Sequence, residues 1–135
     1  MLIVDTSVLV AAANTREASH DACAALLRTE EALVVPAPVV TEACIMPERR
    51  LGPLYEARFL AAVAAGGLEV EALGVADYQR AADLVATYVE LGLGFVDAAI
   101  VVVAERLDTT RIATLNHRDF SVVRPAHAPT LTLLP

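Results

Sequence analysis

Short apolar segments alternate with helical patterns along the chain, and this alternation limits the possible folds more than any other feature. The strand-like segments are the residues before Asp5, then 33–36, 68–73 and 111–115, with 131–134 as a further edge strand. Strands that alternate with helices favour a parallel sheet with right-handed crossovers. At 135 residues the chain is the size of one domain. We therefore predict a single α/β domain, 1–135, with a short, mostly parallel central sheet flanked by helices.

Hydrophobic residues make up 56% of the chain, but no apolar segment approaches the ~18 residues of a membrane span. The N-terminus has no basic residues of a secretory signal, and Asp5 interrupts the first apolar run. We expect a soluble, cytoplasmic protein with no membrane contact, in which Cys23 and Cys44 are buried, reduced thiols. The apolar surplus indicates that another chain covers part of the surface.

The net charge is −7, and all ten cationic residues are arginine. Phosphate contacts supply most of the affinity of non-specific nucleic-acid binding, so an acidic protein is poorly suited to it. A carboxylate cluster neutralised by a bound metal ion would reconcile this charge with a phosphate substrate. The charge therefore argues against a protein that binds nucleic acid non-specifically, and it is compatible with a metal-dependent site for a phosphate group.

Four carboxylates share one context, since each lies just after a strand or in the first turns of the helix that follows. They are Asp5, Glu42, Asp97 and Asp119. Parallel α/β sheets place ligand sites at the carboxyl ends of their strands, where these acids would meet. Simpler interpretations exist for three of these acids taken alone. Asp5, Thr6 or Ser7 could cap the next helix, Asp97 could offset a helix dipole, and Glu42 could be a surface acid.

Carboxylates that converge in one crevice repel one another and need a counter-charge. A hard divalent cation with oxygen ligands, Mg²⁺ or Mn²⁺, meets that need and is typical of phosphoryl-transfer sites. No histidine or cysteine pattern suits zinc, and no glycine-rich phosphate loop is present. Ser7 lacks the context of a nucleophile elbow. The residues favour metal-dependent phosphodiester chemistry.

Several motifs in order along the whole chain resemble those of the PIN-domain nucleases, and more narrowly the VapC toxins of VapBC toxin–antitoxin systems. They are Val4-Asp5-Thr6-Ser7, Val39-Val40-Thr41-Glu42, Val96-Asp97-Ala98-Ala99-Ile100, Thr114-Leu115-Asn116-His117-Arg118-Asp119-Phe120, and Ser121-Val122-Val123-Arg124-Pro125. The resemblance implies a PIN-like fold and a Mg²⁺- or Mn²⁺-dependent endoribonuclease that cuts structured transfer or ribosomal RNA.

The resemblance also implies roles for individual residues. Asp5, Glu42 and Asp97 would be the shared acidic triad, with the metal ion held chiefly by Asp5 and Asp97. Thr6, Ser7 and Thr114 look like the hydroxyls that orient the acids or contact phosphate. The chain departs from the commonest family pattern at the fourth acid, where Asn116 occupies the first acidic position. Either Asp119 takes that role, or Asn116 ligates through its carbonyl.

RNA and protein partners follow from the same resemblance. Arg49, Arg50, Arg118 and Arg124 are the candidates for holding RNA. The family implies a homodimer and a VapB-type antitoxin, assembled with it into a larger complex, and we place the antitoxin groove along the helices of 39–63. His117 could contact phosphate or be a surface histidine without a role.

Two other functions compete with the nuclease interpretation. A metal-dependent phosphatase of the haloacid-dehalogenase type would need an aspartate two residues after Asp5, where Ser7 stands, and a phosphoreceiver would need a late lysine. A PIN-like protein that binds RNA or a partner with little or no cleavage is the alternative that Asn116 supports.

Overall fold

Five short parallel strands form the central sheet. The computed structural model describes residues 1–47 and 51–135, with strands β1 (Leu2–Val4), β2 (Leu33–Pro36), β3 (Glu69–Glu71), β4 (Arg111–Ala113) and β5 (Thr132–Leu134). Their order across the sheet is β3-β2-β1-β4-β5, and all neighbouring pairs are parallel. The predicted α/β class and central sheet are confirmed, and the segment near 131–134 is an edge strand.

Helices connect the strands and cover the sheet. In the described part of the chain they are α1 (Thr6–Ala13), α2 (His20–Thr29), α3 (Ala37–Ile45), α4 (Pro53–Ala64), α5 (Val75–Thr87), α6 (Phe95–Arg106) and α7 (His117–Val122), with a 3₁₀ turn at Val89–Leu91. The sequence pattern predicts one long helix over 75–91, but the structure interrupts it after Thr87. Gly92, in the left-handed region at φ 75°, ends the 3₁₀ turn, a conformation that glycine adopts without steric cost.

The core lies between α6 and the middle of the sheet. Every residue from Ala98 to Ala104 is buried, and α6 contacts β1, β2, α3 and α5. All of β1 is buried, as expected for a parallel strand covered on both faces. Cys23 and Cys44 are free and buried, as predicted. Within residues 1–47 and 51–135 no helix is long and apolar enough to cross a bilayer.

One predicted loop is a helix. The polar residues 116–119 predict a loop after the fourth strand, but α7 begins at His117. The side chain of Asn116 occupies the N-cap and accepts a hydrogen bond from the backbone N–H of Asp119 at 3.3 Å. Because this cap satisfies one of the orphan donors of the first turn, a short polar segment can form a helix.

Candidate active site

Asp5 stands at the junction of β1 and α1, at the carboxyl end of the central strand. The strand ends at Val4 and the helix begins at Thr6, so Asp5 holds the N-cap position. Its carboxylate makes no capping hydrogen bond, and the residue is only 5% exposed. Since a buried charge is costly unless it is paired or bound to a metal, capping does not explain this aspartate.

Two hydroxyl groups hold the Asp5 carboxylate. Ser7 Oγ donates to Asp5 Oδ2 at 2.7 Å, and Thr114 Oγ1 donates to the same oxygen at 2.8 Å. These hydroxyls accept in turn from the backbone N–H groups of Leu115 and Asn116, each at 3.0 Å. The network joins the ends of β1 and β4. Among the described residues no side chain donates to Oδ1, which leaves that oxygen for a ligand.

Thr6 takes no part in this network. It is 3% exposed, and its Oγ1 is buried without a hydrogen-bond partner among the described residues. Buried hydroxyls are normally paired, so this orphaned oxygen beside Asp5 is a further polar group that a ligand in the crevice could satisfy.

Asp97 lies in the first turn of α6 and is partly buried. Burial and, in decreasing order, the negative charges of Asp5, Glu42 and Asp119 together raise its pKa from 3.8 to about 6. No hydrogen bond contributes to this shift. Three carboxylates are therefore close enough to disfavour the charge of Asp97, which has no hydrogen-bonded partner in the described part of the chain.

Glu42 lies on α3, which starts directly after β2. It is partly buried, and its charge acts on Asp97. The side chain also lines an open cavity of about 550 Å³ between α3 and the first turns of α5 and α6. Glu42 therefore faces the carboxylate group on one side and an apolar cavity on the other, which a simple surface acid would not do.

Asp119 and Asn116 form one unit at the start of α7. Asn116 Nδ2 donates to Asp119 Oδ2 at 2.9 Å, and Asn116 Oδ1 accepts from the Asp119 backbone N–H. Asp119 Oδ1 is buried and has no hydrogen-bond partner among residues 1–47 and 51–135; Arg118 Nε lies 3.4 Å away, but that side chain is 85% exposed. The Asn116 carbonyl is thus engaged in capping, whereas Asp119 Oδ1 is the oxygen available to a cation.

The structure describes two of the four arginines that are candidates for RNA binding. Arg118 and Arg124 are exposed on and just after α7, and Arg124 Nη1 donates to the Ser121 carbonyl at 2.9 Å. Arg49 and Arg50 lie outside the described residues. Three other arginines bind acids on neighbouring elements and are committed to the fold: Arg80 to Glu105, Arg106 to Glu71 and Asp77, and Arg111 to Glu30.

The gathered side chains offer only oxygen ligands. Carboxylate and hydroxyl oxygens suit a hard cation such as Mg²⁺ or Mn²⁺. Within 1–47 and 51–135 no group of three or more acidic, histidine or cysteine side chains is close enough to hold a metal ion as it stands. Burial and then repulsion by the other carboxylates raise the pKa of Asp97, so the site has the donor types for a cation but does not arrange them as a coordination sphere.

The cavity beside Glu42 contains residues that the sequence interpretation missed. Tyr78 and Phe95 line it, and their rings stack with centroids 5.8 Å apart and planes at 18°. Phe95 lies two residues before Asp97 in the first turn of α6, a proximity that was visible in the sequence. Tyr78 belongs to α5, and nothing local in the sequence connects it to the acids.

Comparison with known proteins identifies both sequence and structural relatives. The family model of the PIN domain matches residues 2–124. Ribonuclease VapC26 of Mycobacterium tuberculosis (strain ATCC 25618 / H37Rv) is 36% identical over 135 residues, covering 99% of this chain and 100% of the relative.

Solved structures share the fold at lower identity. The M. tuberculosis VapC20 crystal structure, described as a sarcin-ricin loop cleaving toxin, superposes with a TM-score of 0.84 at 19% identity, covering 96% of this chain and 99% of that one. VapBC2 from Rickettsia felis, bound to a DNA fragment from its promoter, gives 0.68 at 16% identity, covering 99% and 98%. FitAcB from Neisseria gonorrhoeae gives 0.67 at 16%, covering 100% and 97%.

Proposed function

This chain belongs to the PIN-domain family, among the VapC-type ribonucleases, and on that premise we propose that it is a metal-dependent endoribonuclease toxin controlled by a cognate antitoxin. Its substrate is structured cellular RNA of the transfer or ribosomal class. The observation that carries the proposal is that the charges of three carboxylates, Asp5, Glu42 and Asp119, act on the partly buried Asp97.

Mg²⁺ or Mn²⁺ fits this site because the site has unsatisfied oxygen donors and excess negative charge. Asp5 and Asp97 are the principal ligands, and Glu42 and Asp119 complete the set or hold water beside it. When bound, such an ion orients a phosphodiester and lowers the pKa of water so that hydroxide is available near neutral pH. The raised pKa of Asp97 is the sign of a carboxylate group that a cation would stabilise.

The chain's own residues set the geometry around that cation. Ser7 and Thr114 hold Asp5 Oδ2 by two hydrogen bonds, so Asp5 presents Oδ1 in a fixed direction. Asn116 holds Asp119 Oδ2 in the same way and leaves Oδ1 free for the site. Pre-oriented acids of this kind position the substrate with little loss of entropy on binding. The exposed Arg118 and Arg124 are the candidates for contacting the RNA backbone.

Partners follow from the family and from the exposed apolar surface. The R. felis neighbour is a VapBC assembly, and we propose that this chain likewise binds a VapB-type antitoxin, forms a homodimer, and assembles with the antitoxin into a larger complex in the cytoplasm. None of the residues of α4 is buried, and Ile45, Met46 and Leu54 are 65%, 67% and 61% exposed. This surface along α3 and α4 is the proposed antitoxin groove.

Cleavage of RNA tests the proposal directly. Purified protein is incubated with total ribosomal and transfer RNA in Mg²⁺ or Mn²⁺, beside Asp5→Asn and Asp97→Asn variants and an EDTA control. We expect specific cleavage that disappears in EDTA and falls by at least about 100-fold in both variants, because each removes a charged ligand of the cation.

Asp21→Asn is the matched control, since Asp21 is an exposed acid on α2 and should leave cleavage unchanged. Equal cleavage by all preparations would identify a contaminating nuclease. If the wild type bound RNA without cleaving it, the alternative of a PIN-like binding protein would be favoured. The observation that supports this alternative is that Asn116, at the first acidic position of the family motif, caps a helix with its side-chain oxygen.

A further inference from the structure

The exposed aromatic residues of this chain are concentrated at one place. The sequence contains three tyrosines, three phenylalanines and no tryptophan. Of these six rings only Tyr78 and Phe95 are largely exposed, at 56% and 43%. They lie side by side, with near-parallel planes. The exposure of two neighbouring aromatic rings to water is unfavourable unless another molecule covers them, so this pair indicates a binding surface.

The surface is continuous with the candidate active site. The two rings line the cavity of about 550 Å³ together with Glu42 and Thr41, and the remaining wall is apolar, with Leu73 and Val96 among its residues. The volume falls within the range of small-molecule sites, about 300–1,000 Å³. Glu42 lines the cavity and its charge also acts on Asp97. Through Glu42, a group held in the cavity would lie beside the carboxylate site.

An unpaired nucleobase fits these features better than a protein side chain does. Sequence-specific proteins bind single-stranded RNA by stacking splayed bases on aromatic rings. The net charge of −7 makes phosphate attraction weak, so stacking must supply a larger share of the affinity than in a basic nuclease. Glu42 on the cavity wall would repel a phosphate but can accept a hydrogen bond from a base amino group.

We infer that Tyr78 and Phe95 form a stacking subsite for one unpaired base of the RNA, adjacent to the cleaved bond. This inference rests on the proposed ribonuclease function and adds to it a determinant of cleavage specificity. The substrate class it selects is RNA in which a base at the cleavage position is flipped out of, or absent from, a helix. A fully paired duplex cannot occupy the cavity.

The test begins with the wild-type protein. Its cleavage position in ribosomal and transfer RNA is mapped by sequencing the RNA ends, and a short synthetic RNA around that position is prepared with a single abasic nucleotide at each flanking position in turn. The values of kcat/KM are then measured for the wild type, for Tyr78→Leu and Phe95→Leu, and for the ring-retaining variants Tyr78→Phe and Phe95→Tyr. Val89→Ala, at a position 70% exposed on the 3₁₀ turn and outside the cavity, is the control.

We expect one abasic position to lower wild-type kcat/KM by about 5- to 100-fold, the usual value of a stacked base. Each leucine variant should lose a similar factor on the intact RNA, and the abasic substitution should cost those variants little more, because the interaction is already lost. Ring-retaining variants and Val89→Ala should keep most of the activity. The mass of each variant in solution should equal that of the wild type.

Three results would overturn the inference. The first is an abasic series in which no position affects the wild type, which requires no variant to fold. The second is an abasic cost that is equal in the wild type and the leucine variants. The third is a loss of activity accompanied by a change of oligomeric mass, which would make this face a contact between copies of the chain. Absence of any metal-dependent cleavage by the wild type would instead overturn the ribonuclease function, and it would show at the first step.

Discussion

At the scale of single residues, the hydroxyl partners of Asp5 distinguish a ligand from a helix cap. Asp5 occupies an N-cap position, where an aspartate commonly accepts from the backbone N–H groups of the next turn. Here Ser7 and Thr114 donate to it instead, and the main-chain carbonyl of Asp5 alone accepts the first helical hydrogen bonds, from Val8 and Leu9. The carboxylate is thus held by side-chain hydroxyl groups and not by the backbone N–H groups of the helix that it precedes.

The raised pKa of Asp97 leads to a prediction about stability and pH. A carboxyl with a folded-state pKa of about 6 and an ordinary value of 3.8 binds its proton more tightly in the native state than in the unfolded chain. The stabilisation is fully present below the ordinary value and is lost as the pH rises through about 6. In EDTA, Asp97→Asn should therefore be more stable than the wild type at about pH 8, by about 1–2 kcal/mol, and the advantage should shrink at about pH 5.

Thermal unfolding of both proteins at these two pH values measures the effect. Addition of Mn²⁺ at the higher pH should raise the melting temperature of the wild type more than that of Asp97→Asn, because a ligand that binds only the native state stabilises it. An advantage of the asparagine variant that is the same at both pH values would show that burial and the neighbouring acids do not disfavour the charged form of Asp97 in the native protein.

At the scale of secondary-structure elements, α7 shows how one side chain serves both local structure and the site. The helix has six residues, too few to be stable without tertiary support. Asn116 caps it and simultaneously binds the Asp119 carboxylate, while Phe120, 1% exposed, anchors it to the core. The position that departs from the commonest family motif is thus occupied by a residue that keeps Asp119 in place.

Replacement of Asn116 by alanine tests this double role. Asn116→Ala removes the cap and the Asp119 contact, so we expect the free energy of unfolding to fall by about 1 kcal/mol and metal-dependent cleavage to fall with it. Asn116→Asp keeps the capping acceptor but places a second carboxylate beside Asp119. It should retain more stability than the alanine variant when Mn²⁺ is present and lose that advantage in EDTA.

Urea unfolding with and without Mn²⁺, together with cleavage rates, provides the measurement. Asn14→Ala is a suitable comparison, since Asn14 is also a partly buried asparagine whose Oδ1 accepts from a nearby backbone N–H, that of Arg16, but it lies away from the acids. If Asn116→Ala were no more harmful than Asn14→Ala in both measurements, Asn116 would have no special role.

At the scale of the whole molecule, the distribution of arginines and apolar residues explains how an acidic, apolar protein can bind RNA and a partner. Arg80, Arg106 and Arg111 join distant elements through ion pairs, and the pKa of Glu30 is lowered by its hydrogen bond from Arg111. These cations are unavailable to RNA. The exposed apolar residues along α3 and α4 instead form a surface that a second protein would cover.

The proposed antitoxin surface leads to a prediction about assembly. Leu54→Asp places a charge on the exposed face of α4, away from the acids, and should weaken the complex with the adjacent-encoded VapB-type antitoxin by at least about 10-fold, because a buried unpaired charge is costly. RNA cleavage by the free variant should remain unchanged. Co-purification and titration of the antitoxin against cleavage activity measure the two effects.

Val89→Asp is the control for this experiment, because Val89 is 70% exposed on the 3₁₀ turn, outside α3 and α4. An antitoxin that binds Leu54→Asp as tightly as it binds the wild type would place the groove elsewhere. A wild type that elutes as a monomer and takes no antitoxin would contradict both partner proposals.

The sequence by itself determined the elements and their class. Buried strands such as β1 and β2 are continuous apolar runs, and α6 follows a turn signal, so local hydrophobic patterns were sufficient to predict the sheet, its edge strand and most helices. The same local patterns place Asp5 and Asp97 at the starts of helices that follow strands or turns. Segment boundaries were less accurate, because the end of the 3₁₀ turn that follows α5 depends on Gly92 and the start of α7 depends on the Asn116 cap, which act through backbone geometry.

Only the tertiary structure decided which residues meet. Thr114 binds Asp5 across a sequence separation of 109 residues, and Tyr78 of α5 stacks on Phe95 of α6. Neither contact has a local signature, since each is created by the parallel register of β1 with β4 or by the packing of one helix on another. The acids were recognisable from the sequence because each belongs to its own motif. Their mutual repulsion, the free oxygens and the aromatic cavity beside them exist only in the folded chain, where residues far apart in sequence share one crevice.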